Sequence, residues 1–303
     1  MGCLRYNRRV DLVTLVQQLI NGLSLGSLYA LVAIGYTMVY GILRLINFAH
    51  GDLLMVAAYV AVMGVGLFSL PWPAAFGLAI AVTGLIGVLL ERGAYRPLRR
   101  APRISLLISA IAASFLLENL ALVIAGGRPK AFPVPPLFNG VFSLGGVFIP
   151  RLSLLIPAIT ALLLGGLFYL VYRTRTGRAM RAIAQDLETT SLMGIDINRT
   201  IAATFFIGAF LAGAGGVMYG LSYNTTVFDL GFSQGLAAFT AAVFGGIGNI
   251  YGAAVGGLLL GLIRTYWDGY FDSAWSDVMI FAILILVLVF RPTGIFGMRV
   301  PEK

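Results

Sequence analysis

Residues 12–41 read LVTLVQQLINGLSLGSLYALVAIGYTMVYG, a run that contains no Asp, Glu, Lys or Arg. About 20 apolar residues in a helix cross the roughly 30 Å hydrocarbon core of a bilayer. The run is therefore long enough to span a membrane, and it is longer than one straight crossing needs. Because it is also rich in glycine, it could form one helix or two shorter pieces.

Further apolar runs follow along the whole chain, which is 59% hydrophobic and only 11% charged. Soluble domains carry about 25% charged residues, so most of this chain cannot face water. The seventh run is also too long for one helix, and helix-breaking residues cluster in it at 245–252. We expect an all-α, polytopic membrane helix bundle of eight or nine spans with broken Gly-rich helices, forming a single transmembrane domain over residues 1–303. The further runs lie at 48–70, 73–91, 104–125, 150–172, 200–222, 235–263 and 274–291.

The N-terminus places basic residues before the first apolar run, as a signal peptide does. The run continues without a fitting A-x-A cleavage site, so we interpret it as a retained first span. Cys3 is the sole cysteine, which excludes an intrachain disulfide and any Cys-based zinc or iron–sulfur site.

Arginine density predicts the orientation of the spans. The segments 92–103 and 173–181 are both arginine-rich and should be cytoplasmic by the positive-inside rule. The Pro- and Gly-rich segment 126–149 between them is then an ordered external loop or hairpin. The basic tail 290–303 should also be inside, which requires 235–263 to cross twice or to dip in and return. The arginines before residue 12 favour an internal N-terminus, whereas a single crossing at 12–41 favours an external one.

The sequence lacks the motifs of most enzymes. It has no P-loop, no HExxH and no GxSxG, and its single histidine, His50, cannot build a multi-histidine metal site. We therefore expect no enzyme activity, no cofactor and no metal. The net charge of +9 is almost all arginine and marks cytoplasmic loops, so we expect membrane lipid, and not nucleic acid, as a contact.

Polar residues cluster where the chain re-enters the membrane, at Asn47, His50 and Asp52. Ionisable residues inside a bilayer are costly and often mark a transport pathway. The alternative is structural, with Asn47 or Asp52 capping the next helix near the interface. Glu118 lies inside the 104–125 run and is either packed against a polar partner or lines a cavity. These four residues are candidates for a translocation pathway.

The segment 177–195, GRAMRAIAQDLETTSLMGI, is a polar island between two apolar runs. Met180, Ile183, Ala184 and Leu187 fall on one face of a helix, which predicts an amphipathic helix. Gly194 suits its C-terminal cap, and Asp196 or Asn198 can cap the span that follows. Such a helix either lies on the membrane surface or docks in a groove of a soluble partner.

Glycine and alanine recur at four-residue spacing in three of the runs. Small residues at this spacing let another helix backbone approach closely, so we expect them to pack helices and not to bind a ligand. The three stripes are Gly22, Gly26 and Ala30; Gly208, Ala212, Gly216 and Gly220; and Gly248, Gly252 and Gly256.

Several long blocks, in order from end to end, resemble a permease subunit of branched-chain amino-acid ABC importers, the LivH type. They are NGLSLGSLYALVAIGYTMVYG (21–41), INFAHGD (46–52), ERGAYRPLR (91–99), GRAMRAIAQDLETTSLMGI (177–195), AFTAAVFGGIGNIYGAAVGGLLLG (238–261) and LILVLVFRPTGIFG (284–297).

The resemblance implies an importer in the bacterial inner membrane. In such an importer two cytoplasmic ATP-binding subunits drive two permease subunits, which would be this chain and a second, different permease. A periplasmic or extracellular solute-binding protein delivers the solute to them. It implies that 177–195 is the coupling helix that docks in the ATP-binding subunit. The positions of this chain that match the coupling motif are Gly177, Arg178, Arg181, Ala182, Asp186, Glu188 and Gly194.

Two alternatives stay open at this point. The same type of ABC permease could carry urea or short amides, because such permeases share most of these blocks. An ion-coupled secondary transporter is a different class, but it has no need of an ATPase-docking helix. Two positions depart from the family pattern, Asp52 where glutamate is usual and Ile263–Arg264 where an acidic residue is common.

Overall fold

The computed structural model describes residues 12–99 and 101–297, which fold into eleven α-helices and four short strands. A π-helical turn, Glu91–Tyr95, extends α3, and short 3₁₀ turns lie at Pro136–Phe138 and Ser273–Trp275. The helices are α1 Leu12–Leu43, α2 His50–Gly66, α3 Trp72–Leu90, α4 Arg103–Ala125, α5 Arg151–Arg173, α6 Arg175–Gln185, α7 Leu187–Leu192, α8 Ile197–Tyr223, α9 Leu230–Gly245, α10 Ile250–Tyr270 and α11 Ser276–Phe290. The strands are β1 Lys130–Ala131, β2 Val141–Leu144, β3 Val147–Pro150 and β4 Thr225–Thr226.

Seven helical segments among the described residues are long and apolar enough to cross a membrane, and α2 and α9 are two shorter apolar helices. Together these nine helices coincide with the eight apolar runs, because the seventh run supplies both α9 and α10. The all-α, polytopic membrane bundle that the sequence predicts is confirmed. α1 and α8 are the most enclosed of the long helices, whereas α4, α5 and α11 expose most of their apolar surface.

The first apolar run forms one continuous helix of 32 residues, so the break that its glycines allowed is absent. The glycines of α1 are packing positions. A Cβ added at Gly261 of α10 would lie 2.2 Å from the Cα of Gly26, and one added at Gly257 would lie 2.4 Å from the Cα of Ala30. Since no side chain separates the two backbones there, α1 and α10 pack in van der Waals contact along this stripe, as predicted for small residues at four-residue spacing.

The seventh run breaks where the sequence predicts, between Gly245 and Ile250. Gly246 and Gly248 have φ angles of +113° and +95°, which side chains other than glycine rarely adopt. Asn249 then caps α10, because its side-chain oxygen accepts hydrogen bonds from the backbone N–H groups of Tyr251 (3.0 Å) and Gly252 (3.3 Å). The segment after α11 packs on this break through the hydrogen bond from the Ile295 N–H to the Phe244 carbonyl oxygen.

The ordered segment 126–150 lies at the end of the bundle where α1 begins. Its β2–β3 hairpin pairs Val141 with Pro150, and the backbone of Phe148 in that hairpin exchanges two hydrogen bonds with the side chain of Gln17. Strand β1 pairs with β4, which follows α8, at the same end. Because α1 crosses the bundle once, Leu12 lies opposite the arginine-rich segments. This position agrees with the alternative of a single crossing at 12–41, and the arginines that favour the other alternative lie outside the described residues.

Candidate functional site

The polar island 177–195 is two short helices and not the single helix that its periodicity predicts. The chain leaves helical geometry at Asp186, where φ is −153° and ψ is 115°. The Asp186 carboxylate accepts hydrogen bonds from the backbone N–H groups of Glu188 (2.9 Å) and Thr189 (3.1 Å), which starts α7 anew. A short acidic side chain that satisfies the first N–H groups of a helix favours a helix start over a continuous helix.

The turn that joins α5 to α6 depends on Gly177. Thr174 precedes α6, and its hydroxyl accepts a hydrogen bond from the Gly177 N–H (3.1 Å). A Cβ at Gly177 would lie 2.2 Å from the carbonyl oxygen of Val171, so no larger residue fits without moving the backbone. The start of α6 therefore lies in close backbone contact with the end of α5.

The end of α7 follows the prediction. Gly194 has a φ of +78° and nothing lies within 4 Å of a Cβ built on it, so it is required by backbone conformation and not by space. Asp196, and not Asn198, caps α8 by accepting a hydrogen bond from the Arg199 N–H (3.1 Å).

The two helices bury one side and expose the other. Met180 and Ile183 are buried, and α6 contacts α1, α5 and α8. Ala184 is half-buried, but Leu187 is 40% exposed because the chain changes direction at Asp186, so the predicted apolar face is only partly correct. A small cavity of about 100 Å³ lies between α6, the end of α1 and the α9–α10 turn.

The exposed side of α6 and α7 carries both charge and apolar surface. Arg178, Arg181, Asp186 and Glu188 are exposed, Ala182 is half-buried, and the Arg181 guanidinium lies 5.2 Å from the centre of the Tyr172 ring. Leu192 is 87% exposed and Met193 is 76% exposed. We call the residues Arg178, Arg181, Glu188, Leu192 and Met193 the α6–α7 surface. Large apolar side chains this exposed beside charged ones are typical of a surface that binds either another protein or the membrane interface.

The polar residues before and within α2 are all buried, but they do not form one site. The Asn47 side-chain oxygen accepts a hydrogen bond from the Tyr95 hydroxyl at the end of α3. His50 packs edge-on against Tyr36, with 4.8 Å between ring centres. Its ring also occupies the space beside Gly35, where a Cβ would lie 2.1 Å from Nε2. Residue Ala49 precedes α2 without a side-chain cap, so the expectation that Asn47 or Asp52 caps this helix is wrong.

Asp52 is fully buried where α2 crosses the start of α9. A Cβ at Gly231 would lie 2.4 Å from its Oδ1 atom, so only glycine leaves room for the carboxyl. Ser114 of α4 lies beside the carboxyl, but neither oxygen has a well-formed hydrogen bond to any described residue. Burying a carboxyl with so few partners is costly, and an ionisable residue in this position is a candidate functional residue.

Glu118 is half-buried on α4 and interacts electrostatically with both Asp52 and Asp229. Asp52 and Glu118 are thus within electrostatic range of each other, whereas Asn47 bonds to Tyr95 and His50 packs against Tyr36. Asp229, which is exposed directly before α9, was missed by the sequence reasoning. Its position, just ahead of an apolar helix, is the signal that could have found it. We call Asp52, Glu118 and Asp229 the carboxylate cluster.

The chain matches the family model described as the permease component of branched-chain amino acid transport systems over residues 18–288. It belongs to this family. The permease is 47% identical to the high-affinity branched-chain amino acid transport system permease protein BraD of Pseudomonas aeruginosa over 299 residues, covering 95% of this chain and 97% of BraD. It is 44% identical to the permease protein LivH of Escherichia coli K12 over 301 residues, covering 95% and 97% of the two chains.

A more distant relative of the permease is the ribose import permease protein RbsC of Escherichia coli K12, which is 25% identical over 288 residues and 90% of this chain. No solved structure gives a significant match. Since one relative is named for a sugar and others for amino acids, the shared architecture alone does not define the solute.

Arg264, one of the two departures from the family pattern, joins three helices of the permease. Its guanidinium donates a hydrogen bond to the Tyr29 hydroxyl of α1 and lies 3.2 Å from the Asp277 carboxylate at the start of α11. It also lies 4.0 Å from Asp268, one turn further along α10. An arginine replacing an acid is thus accommodated here by acidic residues on two helices.

Arg99 links the end of α3 to the start of α8 in the permease. Its guanidinium forms an ion pair with the buried Glu91 and donates a hydrogen bond to the Asn198 side chain (2.9 Å). Burial lowers the pKa of Arg99, and the nearby Glu91 carboxylate opposes that shift. This contact connects the end of α3 with the first turn of α8, and sequence reasoning had no signal for it.

Proposed function

We propose that this permease is the membrane subunit of an ATP-driven importer that moves branched-chain or other hydrophobic amino acids across the bacterial inner membrane by alternating access. The observation that carries the proposal is the α6–α7 surface, which exposes large apolar side chains at the arginine-rich end of the bundle. By the positive-inside rule that end is cytoplasmic, where an ATP-binding subunit is accessible. The names of the close relatives support the substrate class.

In this proposal, α6 and α7 form the coupling element that docks in a cleft of the ATP-binding subunit. Leu192 and Met193 supply apolar contact, while Arg178, Arg181 and Glu188 set the orientation. Six of the seven predicted coupling residues divide into two groups, and the seventh, Ala182, is half-buried and belongs to neither. Gly177, Asp186 and Gly194 shape the two helices, and the charged positions face the partner.

Coupling requires that movement of α6 reaches the spans. α6 buries Met180 and Ile183 against the bundle and contacts α1, α5 and α8. Of these, α1 and α8 are the most enclosed long helices of the bundle. Because the backbones of α5 and α6 approach closely at Gly177 and Thr174 caps α6, we expect α6 to move together with the end of α5. ATP-driven closure of the partner would therefore displace α5 together with α6 and alter the packing of the central helices.

The partners follow from the same proposal. Two cytoplasmic ATP-binding subunits hydrolyse ATP, because this chain has no P-loop of its own. A second, different permease subunit completes the membrane part, and a solute-binding protein delivers the substrate on the external side, where 126–149 forms a loop. The chain contributes one transmembrane domain.

For the translocation pathway we propose the carboxylate cluster. Glu118 is half-buried and Asp229 is exposed in the isolated chain, and on α4 the nearby Phe115 and Leu116 are also exposed. Ionisable groups at such a position face a partner helix or a water-filled cavity in a membrane. The carboxylates would there balance the ammonium group of an amino acid as it passes. Asn47 and His50, which are packed against aromatic rings, hold helices together instead.

Site-specific crosslinking tests the coupling assignment. Cys3 is replaced by serine, and Glu188→Cys is introduced in α7. As a matched control, Leu144→Cys is made at an exposed position of the β2–β3 hairpin at the opposite end. We expect Glu188→Cys, and not Leu144→Cys, to crosslink to cysteines in a co-expressed ATP-binding subunit. Equal crosslinking of Glu188→Cys and Leu144→Cys would refute the assignment. So would the absence of any crosslink at Glu188→Cys together with uptake that persists without ATP.

The substrate is tested by reconstituting the complete importer with its solute-binding protein in vesicles. We expect ATP-dependent uptake of leucine, isoleucine and valine, and none of ribose or urea. Uptake that follows a sodium or proton gradient in the absence of ATP would identify a secondary transporter instead.

A further inference from the structure

A groove of about 750 Å³ opens between α3, α5 and α8 at the arginine-rich end of the bundle. This volume falls within the roughly 300–1,000 Å³ typical of ligand sites. The groove does not contain the carboxylate cluster or the α6–α7 surface, so neither proposed role accounts for it.

Three arginines line the groove at the arginine-rich end of the bundle, namely Arg92, Arg96 and Arg199. Arg92 and Arg96 lie four residues apart, at and just after the π-helical turn, and both are exposed. Among the described residues, neither makes an ion pair or a side-chain hydrogen bond.

The acidic side chains of the groove are already engaged. Glu91 pairs with Arg99, while Asp196 caps α8 and lies 3.2 Å from Arg199. Two guanidinium groups are therefore left to bind an external anion. Guanidinium is well matched to phosphate oxygens because it can donate two parallel hydrogen bonds.

Further from the arginine-rich end the groove is lined by apolar side chains, since Val88 lies one turn before Arg92 and Phe206 two turns after Arg199. Val88 of α3, Leu170 of α5 and Phe206 of α8 line it. On the outer face of α3, Leu85 is 59% exposed and Leu89 is 64% exposed, so the apolar wall continues onto the surface that faces membrane lipid. A ligand that fills the groove needs an anionic group at one end and hydrocarbon at the other.

We propose that this groove binds an anionic phospholipid of the cytoplasmic leaflet, with its phosphate on Arg92 and Arg96 and an acyl chain between α3, α5 and α8. Basic pockets between transmembrane helices on the cytoplasmic side are suited to such headgroups. The groove is lined by Asp196 and Arg199 at the start of α8, directly after the turn that follows α7. The Arg99–Asn198 contact lies beside it. A lipid there stabilises the connection between α3 and the coupling element.

The test uses the intact importer in nanodiscs of phosphatidylcholine with a varied fraction of phosphatidylglycerol. The lipid retained after mild detergent extraction is measured by native mass spectrometry. The double variant Arg92→Gln/Arg96→Gln removes the two free guanidiniums. Arg103→Gln/Arg173→Gln is the matched control, because it removes two arginines from the same end of the bundle but outside the groove.

We expect the wild type and the control pair to retain phosphatidylglycerol, and the groove pair to bind it roughly thirty-fold more weakly, from the contribution of each arginine at an anionic lipid surface. Arg92→Lys/Arg96→Lys keeps both charges but removes the paired guanidinium donors, so its affinity for the lipid should fall between those of the wild type and the Arg92→Gln/Arg96→Gln pair. Thermal unfolding in phosphatidylcholine alone verifies that each variant is folded. Millimolar inorganic phosphate should not displace the lipid, since the apolar wall contributes to its binding.

Equal retention by the groove pair and the control pair would overturn the proposal and identify ordinary surrounding lipid. Displacement by inorganic phosphate would overturn it in favour of a site for a small anion. Loss of the ATP-binding subunits from the groove pair, with lipid retention unchanged, would show that the arginines contact protein.

Discussion

Replacing Leu192 by alanine separates docking by the α6–α7 surface from folding of the permease. Leu192 is 87% exposed, so its truncation removes little contact from the isolated chain. We expect the free energy of unfolding to change by less than about 0.5 kcal/mol, as for most surface substitutions. If Leu192 is buried in the ATP-binding subunit, losing three carbon atoms costs about 0.8 kcal/mol each, or roughly 2 kcal/mol after allowing for its exposed fraction. Association should then weaken about thirty-fold.

Met180→Ala is the matched comparison on the opposite side of the same element. Met180 is 3% exposed and packs against the bundle, so its truncation should destabilise the permease by about 2–5 kcal/mol. Affinity is measured by titrating the purified ATP-binding subunit onto permease in nanodiscs, and stability by thermal unfolding of the permease alone. The two variants should thus show opposite patterns in the two measurements.

Unchanged affinity of Leu192→Ala for the ATP-binding subunit would refute this reasoning, because the most exposed apolar side chain of α7 would then be outside the interface. A fall in stability equal to that of Met180→Ala would also refute it, since it would mean that Leu192 is buried within the permease.

Three further outcomes are expected. Gly261→Val should lower the free energy of unfolding by at least about 1–3 kcal/mol, seen as a lower unfolding temperature, because the new Cβ would lie 2.2 Å from the Gly26 Cα. Gly77→Ala is the control and should be neutral, because nothing lies within 4 Å of a Cβ built there. Asp186→Ala removes the cap of α7, so it should lower the free energy of unfolding by about 1 kcal/mol and weaken the affinity for the ATP-binding subunit. Asp186→Asn can still cap α7 and should preserve both the stability and the affinity. An equal loss in the two variants would contradict a capping role. Asp52→Asn should keep stability within about 1 kcal/mol, because no well-formed hydrogen bond among the described residues is lost, yet reduce amino-acid uptake by vesicles; normal uptake would remove Asp52 from the pathway.

Much of the fold could be predicted because span length and apolarity are local properties. The break at 245–252 was predictable because glycines cluster there with Asn249, a residue that favours helix starts, and Gly246 and Gly248 do adopt the positive φ angles that glycine permits. The first run was ambiguous, because glycine either breaks a helix or lets another helix approach. Only the presence of α10 against Gly26 decides between these outcomes.

The coupling element was found by sequence but its shape was not. The apolar spacing from Met180 to Leu187 predicts one helix, whereas Asp186 followed by Leu187 and Glu188 is also a helix-start signal. The local hydrogen bonds of Asp186 prevailed, so Leu187 became exposed. The periodicity had placed this residue on the buried face.

The sequence by itself determined that this chain is a membrane helix bundle of the permease family, because composition, run length and long motif blocks need no knowledge of contacts. Tertiary structure alone decided which polar groups meet. Asp52, Glu118 and Asp229 come from three helical regions far apart in the chain, and the groove arginines converge from α3 and α8. Such juxtapositions depend on how helices cross. The crossing is set by close backbone contacts at glycines such as Gly231 and Gly261. A pattern within one segment can mark small residues for helix packing, but it does not say which helix will pack against them.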